Sequence, residues 1–403
     1  MNKECISCEK GKLESILDFG KSPVANNLEN NKKNSLKSKK IDLLLSICSE
    51  CKHVQVANHV DQKEIFSNYL YTPSVSETLK NHLEGITNVL KNSYSLGSKS
   101  FVVDIGSNDG TFLNSVKKYS NKILGVDPAT NLTKIANANG INSFNTFFGE
   151  EASELIVKKY GKADFIVTTN TFAHTPKITD FVKGLKNLLS ENGVLIIEVH
   201  YLGSMLKESA FDTIYHEHFS YWSLTNIYKL FKKFNLELFD AQIINIHHGQ
   251  LRVHISKSKK FKISDSVKEI LKKEKNEINE IKIQEFCSNV EKIKKETIKL
   301  FNDIDKDNKK IVGYGAPAKA STMINFLGKT PIEKIYDKSK LKQGLYIPGT
   351  DIKIFDLKEI FHDKPDYIFI FSWNFSKEII NDLRNNYNYN GKFIIPIPSI
   401  KIY

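Results

Sequence analysis

Four runs in the middle of the chain share one pattern: a short apolar stretch, an acidic or small polar residue near its end, then a loop. They are FVVD from Phe101, ILGVD from Ile123, DFIVTT from Asp164 and VLIIEV from Val194. Continuous apolar runs of this length suit strands covered on both faces, as in a parallel sheet. Two more strand-like segments, LELFDAQIINIHHGQ and LRVHIS, close the region. Ahead of them Leu224, Ile227, Tyr228 and Phe231 recur at helical spacing, with Ser223 as the predicted N-cap. From Lys309 a second set begins with KKIVGYG, IEKIYD, DYIFIFSWNF and GKFIIPIPSI, and Ala318–Phe326 is helix-compatible. Between the sets, Ile263–Asp307 is rich in Lys and Glu. Its Val267, Ile270, Leu271, Ile278, Ile281 and Val290 fall roughly on one stripe, which predicts one or two connecting helices. Strand and helix patterns in alternation predict an α/β fold with two nucleotide-type units. The predicted divisions are an N-terminal module over 1–82, a central domain over 83–260, a helical connector over 261–308 and a C-terminal α/β domain over 309–403.

Composition changes this picture little. The 403 residues are 40% hydrophobic and 26% charged, ordinary values for a globular chain of more than one domain. A formal charge of +12 invites a nucleic-acid partner. Yet Arg252 and Arg384 are the only arginines, and bidentate recognition of bases and phosphates favours arginine over lysine. No nucleic-acid partner is expected. The start, MNKECISCEK, has no apolar core of a leader, and no run approaches a membrane span. A cytoplasmic enzyme without membrane association is the expectation.

Candidate chemistry begins at Phe101–Leu113, FVVDIGSNDGTFL, which reads as strand, tight glycine turn and helix start. Such a turn lets a ligand approach the backbone closely and offers it unpaired N–H groups. The second strand ends in Asp127, placed to accept hydrogen bonds from a ribose diol. The turn departs from the pyrophosphate fingerprint G-x-G-x-x-G and carries Asp109. A carboxylate there repels phosphate but favours a sulfonium or ammonium. Asp104, Gly106, Asn108, Asp109, Gly110 and Asp127 together suit S-adenosylmethionine. Asn170 and His174 lie past the end of the third run, Glu198 and His200 at the end of the fourth. In open α/β sheets, ligands collect at those carboxyl ends.

Cys5-x2-Cys8 and Cys48-x2-Cys51 are two knuckles able to supply four thiolates to a structural zinc ion, with a small two-stranded module between them. A disulfide pair or four unrelated thiols are the alternatives. Cys287 is not expected as a ligand. Tyr69 and Tyr71 share one face of an extended segment that is broken by Thr72-Pro73-Ser74. Ser74 or Ser76 is placed to cap a helix from Glu77. The densest polar cluster is TIYHEHFSYWS, in which Tyr215, His216, Glu217 and His218 are consecutive in a loop before a helix. Metal binding, acid–base work tuned by a neighbouring carboxylate and a purely structural role all remain open for it.

These pieces, in this order, resemble the three-domain SAM-dependent C-methyltransferases that act on keto-sugar nucleotides in deoxysugar biosynthesis. The resemblance spans the chain: both knuckles, Y-x-Y, DIGSNDG, Y-H-E-H, HHGQLR, GYGAPAKASTMIN and DKSKLKQGLYIPGT. Two departures are Pro73-Ser74, where the family has Ser-Ser, and His248-Gly249-Gln250, where it has His-Gly-Gly-Ser. The resemblance implies a central Rossmann-like methyltransferase domain, a second Rossmann-like domain at the C-terminus and a zinc module at the N-terminus. It implies a nucleotide-sugar substrate, held between domains; a monomer or homodimer is the separate expectation for assembly. It places the active site on Tyr71, His174, Tyr215, Glu217 and His218, with His218 as the base. An O- or N-methyltransferase, a zinc-containing RNA methyltransferase and a non-catalytic zinc scaffold are the rival readings.

Overall fold

The computed structural model describes residues 4–67, 69–70, 72–246, 249–257 and 259–403. The N-terminal sheet is an antiparallel meander of β1 (Leu13–Ser22), β2 (Ile41–Cys48) and β3 (Val54–Val56). Its two long strands lie between the cysteine knuckles, as the spacing predicts.

The central sheet uses β4 (Phe101–Ile105), β5 (Lys122–Asp127), β6 (Ser143–Asn145), β7 (Ala163–Thr169) and β8 (Leu189–His200). The short β9 (Ser220–Tyr221) leaves this domain to join the N-terminal sheet, where Tyr221 pairs with Val54. The chain then returns through β10 (Glu237–Ile244) and β11 (Gln250–Ser256), giving the order β10-β11-β8-β7-β4-β5-β6. Strands β4 to β8 pair in parallel within this sheet, whereas β11 runs antiparallel to both β8 and β10. Every residue of β4 is buried, which explains its unbroken apolar pattern. The connections reverse direction at β4, between β5 and β7. That reversal opens the crevice in which ligands bind outside the strand ends.

The C-terminal sheet holds β12 (Ile311–Tyr314), β13 (Lys334–Asp337), β14 (Lys353–Asp356), β15 (Tyr367–Ile370), β16 (Lys392–Ile395) and β17 (Lys401–Ile402). The order is β14-β13-β12-β15-β16-β17, parallel except at β17. It reverses at β12 as the central sheet does at β4.

The connector is two helices, Asp265–Glu277 and Glu280–Lys306. Asn279 restarts the second, its side chain accepting from Lys282 N at 3.0 Å. The restart shifts the helical phase. Ile281 therefore leaves the predicted stripe and stands 66% exposed, while Ile283, Phe286, Val290 and Ile293 face inward. That face joins one apolar core with Leu17 and Leu45 of the N-terminal sheet and Ile335 and Phe369 of the C-terminal sheet. The two outer domains are thereby packed on each other. No helix among the described residues is long and apolar enough to cross a membrane.

Candidate active site

A cavity of about 490 Å³ lies where the carboxyl ends of the central and C-terminal sheets face each other. On the central side the glycine turn closes on the neighbouring strand. Gly106 N donates to Val126 O at 2.8 Å. Gly106 has a φ of +78°, and a Cβ there would run into the Thr171 side chain, so the position needs glycine. Asp127 accepts from Asn108 N at 2.9 Å through one oxygen and from Ala129 N at 2.8 Å through the other. Gly106, Asn108, Asp127 and Asn170 line the cavity. Asp104, Asp109 and Gly110 lie behind the turn instead. Asp109 accepts from Thr111 Oγ1 at 2.6 Å and holds the helix start. Asp104 is buried with one oxygen unpartnered; burial, then the carboxylates of Asp127 and Asp109, push its pKa up. A cation bound at this turn would relieve that concentration of negative charge.

The polar cluster forms the next wall. His218 donates from Nδ1 to Thr213 O at 2.7 Å, so its Nε2 presents the lone pair. Tyr215 OH lies 2.9 Å from that Nε2. Burial, then the neighbouring His174 and His200, hold the His218 pKa well below the ordinary histidine range. Burial raises the Tyr215 phenol pKa, so it stays a donor. His174 donates from Nδ1 to the main-chain oxygen of Glu217 at 2.7 Å, and burial lowers its pKa to about 4. Its ring lies 4.9 Å from that of His218, centroid to centroid. Glu217 turns its side chain away from both histidines. One carboxylate oxygen accepts from Asn26 N of the N-terminal module at 2.9 Å, and burial raises its pKa. Tyr71 lies outside the described residues. The predicted caps form: Ser76 Oγ accepts from Leu79 N at 3.4 Å and Ser223 Oγ from Asn226 N at 3.1 Å.

The opposite wall comes from the C-terminal domain, through Pro317, Ala318, Lys319, Lys338 and Lys342. Lys319 Nζ is buried with no hydrogen-bond partner among the described residues and sits 5.1 Å from the Trp373 ring centre. Burial lowers its pKa, with the Asp212 carboxylate opposing. Lys342 Nζ donates to Ala316 O at 2.8 Å.

The four knuckle sulfurs lie within 4.8 Å of one another. Ser7 N donates to Cys5 Sγ, Gly11 N to Cys8 Sγ and Cys51 N to Cys48 Sγ, each at 3.4 Å. Backbone donors aimed at sulfur suit thiolates, so the set fits a tetrahedral metal. Cys287 instead donates to Ile16 O on the connector side.

Sequence comparison then decides the family. Residues 5–66 match a zinc binding domain, 80–241 a methyltransferase domain and 245–398 a C-methyltransferase C-terminal domain. The C-methyltransferase NovU of Streptomyces niveus is 30% identical over 404 residues, covering 99% of this chain and 96% of NovU. This chain belongs to the C-methyltransferase family. Partial alignments link it to solved structures as well. Magnesium protoporphyrin IX methyltransferase from Synechocystis aligns over 44% of this chain and 79% of its own, at 11% identity and a TM-score of 0.35. A SAM-dependent methyltransferase from Anabaena variabilis aligns over 49% and 99%, at 13% identity and 0.36.

As a C-methyltransferase the chain uses S-adenosylmethionine, and its four-cysteine set holds zinc. Four thiolates leave the zinc no open position, so the metal is structural. Sequence reasoning missed Lys319, Lys342, His82 and Asn26, all of which line the cavity. The lysines are camouflaged among 58 basic side chains. Arg252 carried a usable signal: it is one of only two arginines in the chain.

Proposed function

We propose that this C-methyltransferase methylates a carbon next to the keto group of a nucleotide-linked keto-deoxysugar. One observation carries the reading. The cavity that holds the His218–Tyr215 pair also holds the unpartnered ammonium of Lys319, next to Lys342 and the N-terminus of helix Ala318–Leu327. A desolvated amine without a hydrogen bond among the described residues, beside a helix N-terminus that no side chain caps, fits a diphosphate, and a ketone-bearing sugar would then reach the base.

The residues act as follows in this reading. Nε2 of His218 takes the proton from the carbon next to the ketone, and Nδ1–H stays on Thr213 O. Because its pKa is low, His218 is neutral and ready at neutral pH, but the transfer is uphill unless the enolate is stabilised. Tyr215, whose O–H lies against Nε2, turns that donor to the enolate oxygen. Neutral His174, donating from Nδ1 to Glu217 O, presents Nε2 as an acceptor. It therefore orients a sugar hydroxyl rather than the enolate. Glu217 ties the loop to the N-terminal module and holds His174 through its main chain. Bound S-adenosylmethionine would supply an electrophilic methyl on sulfonium for the enolate carbon.

The test is incubation with S-adenosylmethionine and a panel of 4-keto-sugar nucleotides, read by mass and product NMR. A new C–CH3 signal beside the carbonyl is expected. Wild-type enzyme in deuterated water should also exchange the proton on that carbon, and His218→Asn should not. A methoxy or N-methyl product ends the carbanion mechanism and leaves the cofactor assignment standing.

A further inference from the structure

Lysine supplies nearly all the positive charge of this chain, so each arginine marks a place where lysine does not serve. Arg384 is one: it donates to Tyr389 O and lies 4.8 Å over the Phe393 ring in the C-terminal domain. Arg252 is the other. It sits on β11 directly across from Glu198 of β8, and its Nε donates to Glu198 Oε1. Glu198 is fully buried, and its second oxygen lies 2.6 Å from His82 Nε2. Burial opposes ionisation, but His82 and Arg252 outweigh it and hold the Glu198 pKa below the ordinary carboxyl range.

A chain of alternating groups thus runs from β11 through β8 to the helix Glu77–Tyr94. Its inner end, Arg252, does not reach the cavity, whereas Glu198 and His82 do. Nδ1 of His82 has no partner among the described residues, since the ring's one hydrogen bond is that from Nε2. Stability alone is a weak reason to bury such a pair, because well-packed apolar residues often serve equally well.

Position supplies the reason. Asp127 ends β5, Gly106 follows β4, Asn170 follows β7 and Glu198 is the third-last residue of β8. These strands are consecutive neighbours in the sheet. At about 4.8 Å per strand, β5 to β8 spans about 14 Å, comparable with a nucleoside carrying an extended amino-acid tail. With the ribose at Asp127, the tail crosses the Gly106 turn and ends against His82.

We propose that His82, held in place by Glu198 and Arg252, binds the α-carboxylate of the cofactor's amino-acid end through Nδ1–H. The ring then bridges Glu198 at Nε2 on one side and the cofactor at Nδ1 on the other. Arginine suits the inner end because its planar fork fixes Glu198 in orientation, which a lysine point charge does not.

The test is calorimetry with two probes. S-adenosylhomocysteine carries the amino-acid end; 5′-methylthioadenosine has the same nucleoside and sulfur without it. His82→Ala should weaken S-adenosylhomocysteine by about ten- to hundredfold, as for loss of a charged hydrogen bond, and leave methylthioadenosine within about twofold. Arg252→Lys should show the same selectivity at about three- to tenfold, and it keeps the proposal testable if the His82 variant does not fold. The inference rests on the ribose at Asp127, and Asp127→Ala checks that separately by weakening both probes. Unchanged S-adenosylhomocysteine affinity in His82→Ala, or equal losses for the two probes, would overturn it.

Discussion

The central and C-terminal sheets use the same backbone device with different flanking side chains. At the end of β4, Gly106 N donates to Val126 O at 2.8 Å; at the end of β12, Gly315 N donates to Tyr336 O at 2.8 Å. Asp127 at the end of β5 accepts from two backbone N–H groups, and Asp337 at the end of β13 does likewise, from Ala316 at 2.6 Å and Ser339 at 2.7 Å. The two crevices therefore have the same construction. Their side chains differ. The central turn gathers Asp104, Asp109 and Asp127, which suit a sulfonium cofactor; the C-terminal turn gathers Lys319, Lys338 and Lys342. A strand–turn–helix unit is neutral as to its ligand, and the charge placed around it selects one.

The comparison can be broken in four places. The largest expected effect is on the loop between the two crevices. His218→Asn should lower methyl transfer by about 10²–10⁴, the worth of a positioned base, without changing S-adenosylhomocysteine affinity. Next, Asp127→Ala should weaken S-adenosylhomocysteine by about tenfold or more, the scale of a lost charged hydrogen bond. The matching Asp337→Ala should leave that affinity unchanged, and equal losses in calorimetry would dissolve the distinction between the crevices. Third, Lys319→Met should raise KM for the nucleotide sugar by about tenfold while sparing cofactor binding, since it removes one charge-assisted contact. Steady-state kinetics showing only a kcat loss would remove Lys319 from the proposed diphosphate site.

The smallest effect is on stability against pH. His174, at about 4 in the fold, and His218, also lowered by burial, take up protons more readily in the unfolded chain. Their contribution to stability is therefore full above about pH 6.5 and falls as pH drops from there towards 4. Denaturant titrations at pH 7.5 and 5 should show the loss, and a His174→Gln variant should show less of it. Unchanged pH dependence in that variant would assign the effect to other groups.

The parallel strands, the glycine turn, the Ser223 cap and the cysteine knuckles were legible in sequence because each is a short-range pattern, and the earlier cap was narrowed to Ser74 or Ser76, of which Ser76 forms it. The connector was partly legible: two helices were allowed, but the restart at Asn279 moved Ile281 from the core to solvent. For the polar cluster, chain order showed that Tyr215 and His218 are close. It did not show that Glu217 faces the N-terminal module.

What the sequence determined by itself is chemistry held within a few residues: thiolates at knuckle spacing, a glycine turn after the first central strand, and an acidic residue at the end of the next. Tertiary structure decided everything joined over long separations. Asn26 N reaches Glu217 across 191 residues, and Trp373 Nε1 donates to Asp212 at 2.6 Å across 161. With β9 paired to β3, those contacts clamp Phe211–Ser223 between all three domains. The same packing turns Lys319, one lysine among many, into a buried amine in the cavity wall with no hydrogen-bond partner among the described residues. Local patterns record backbone propensity and periodicity, whereas burial and partnership depend on which distant surfaces close on a residue. Those surfaces exist only once the chain has folded.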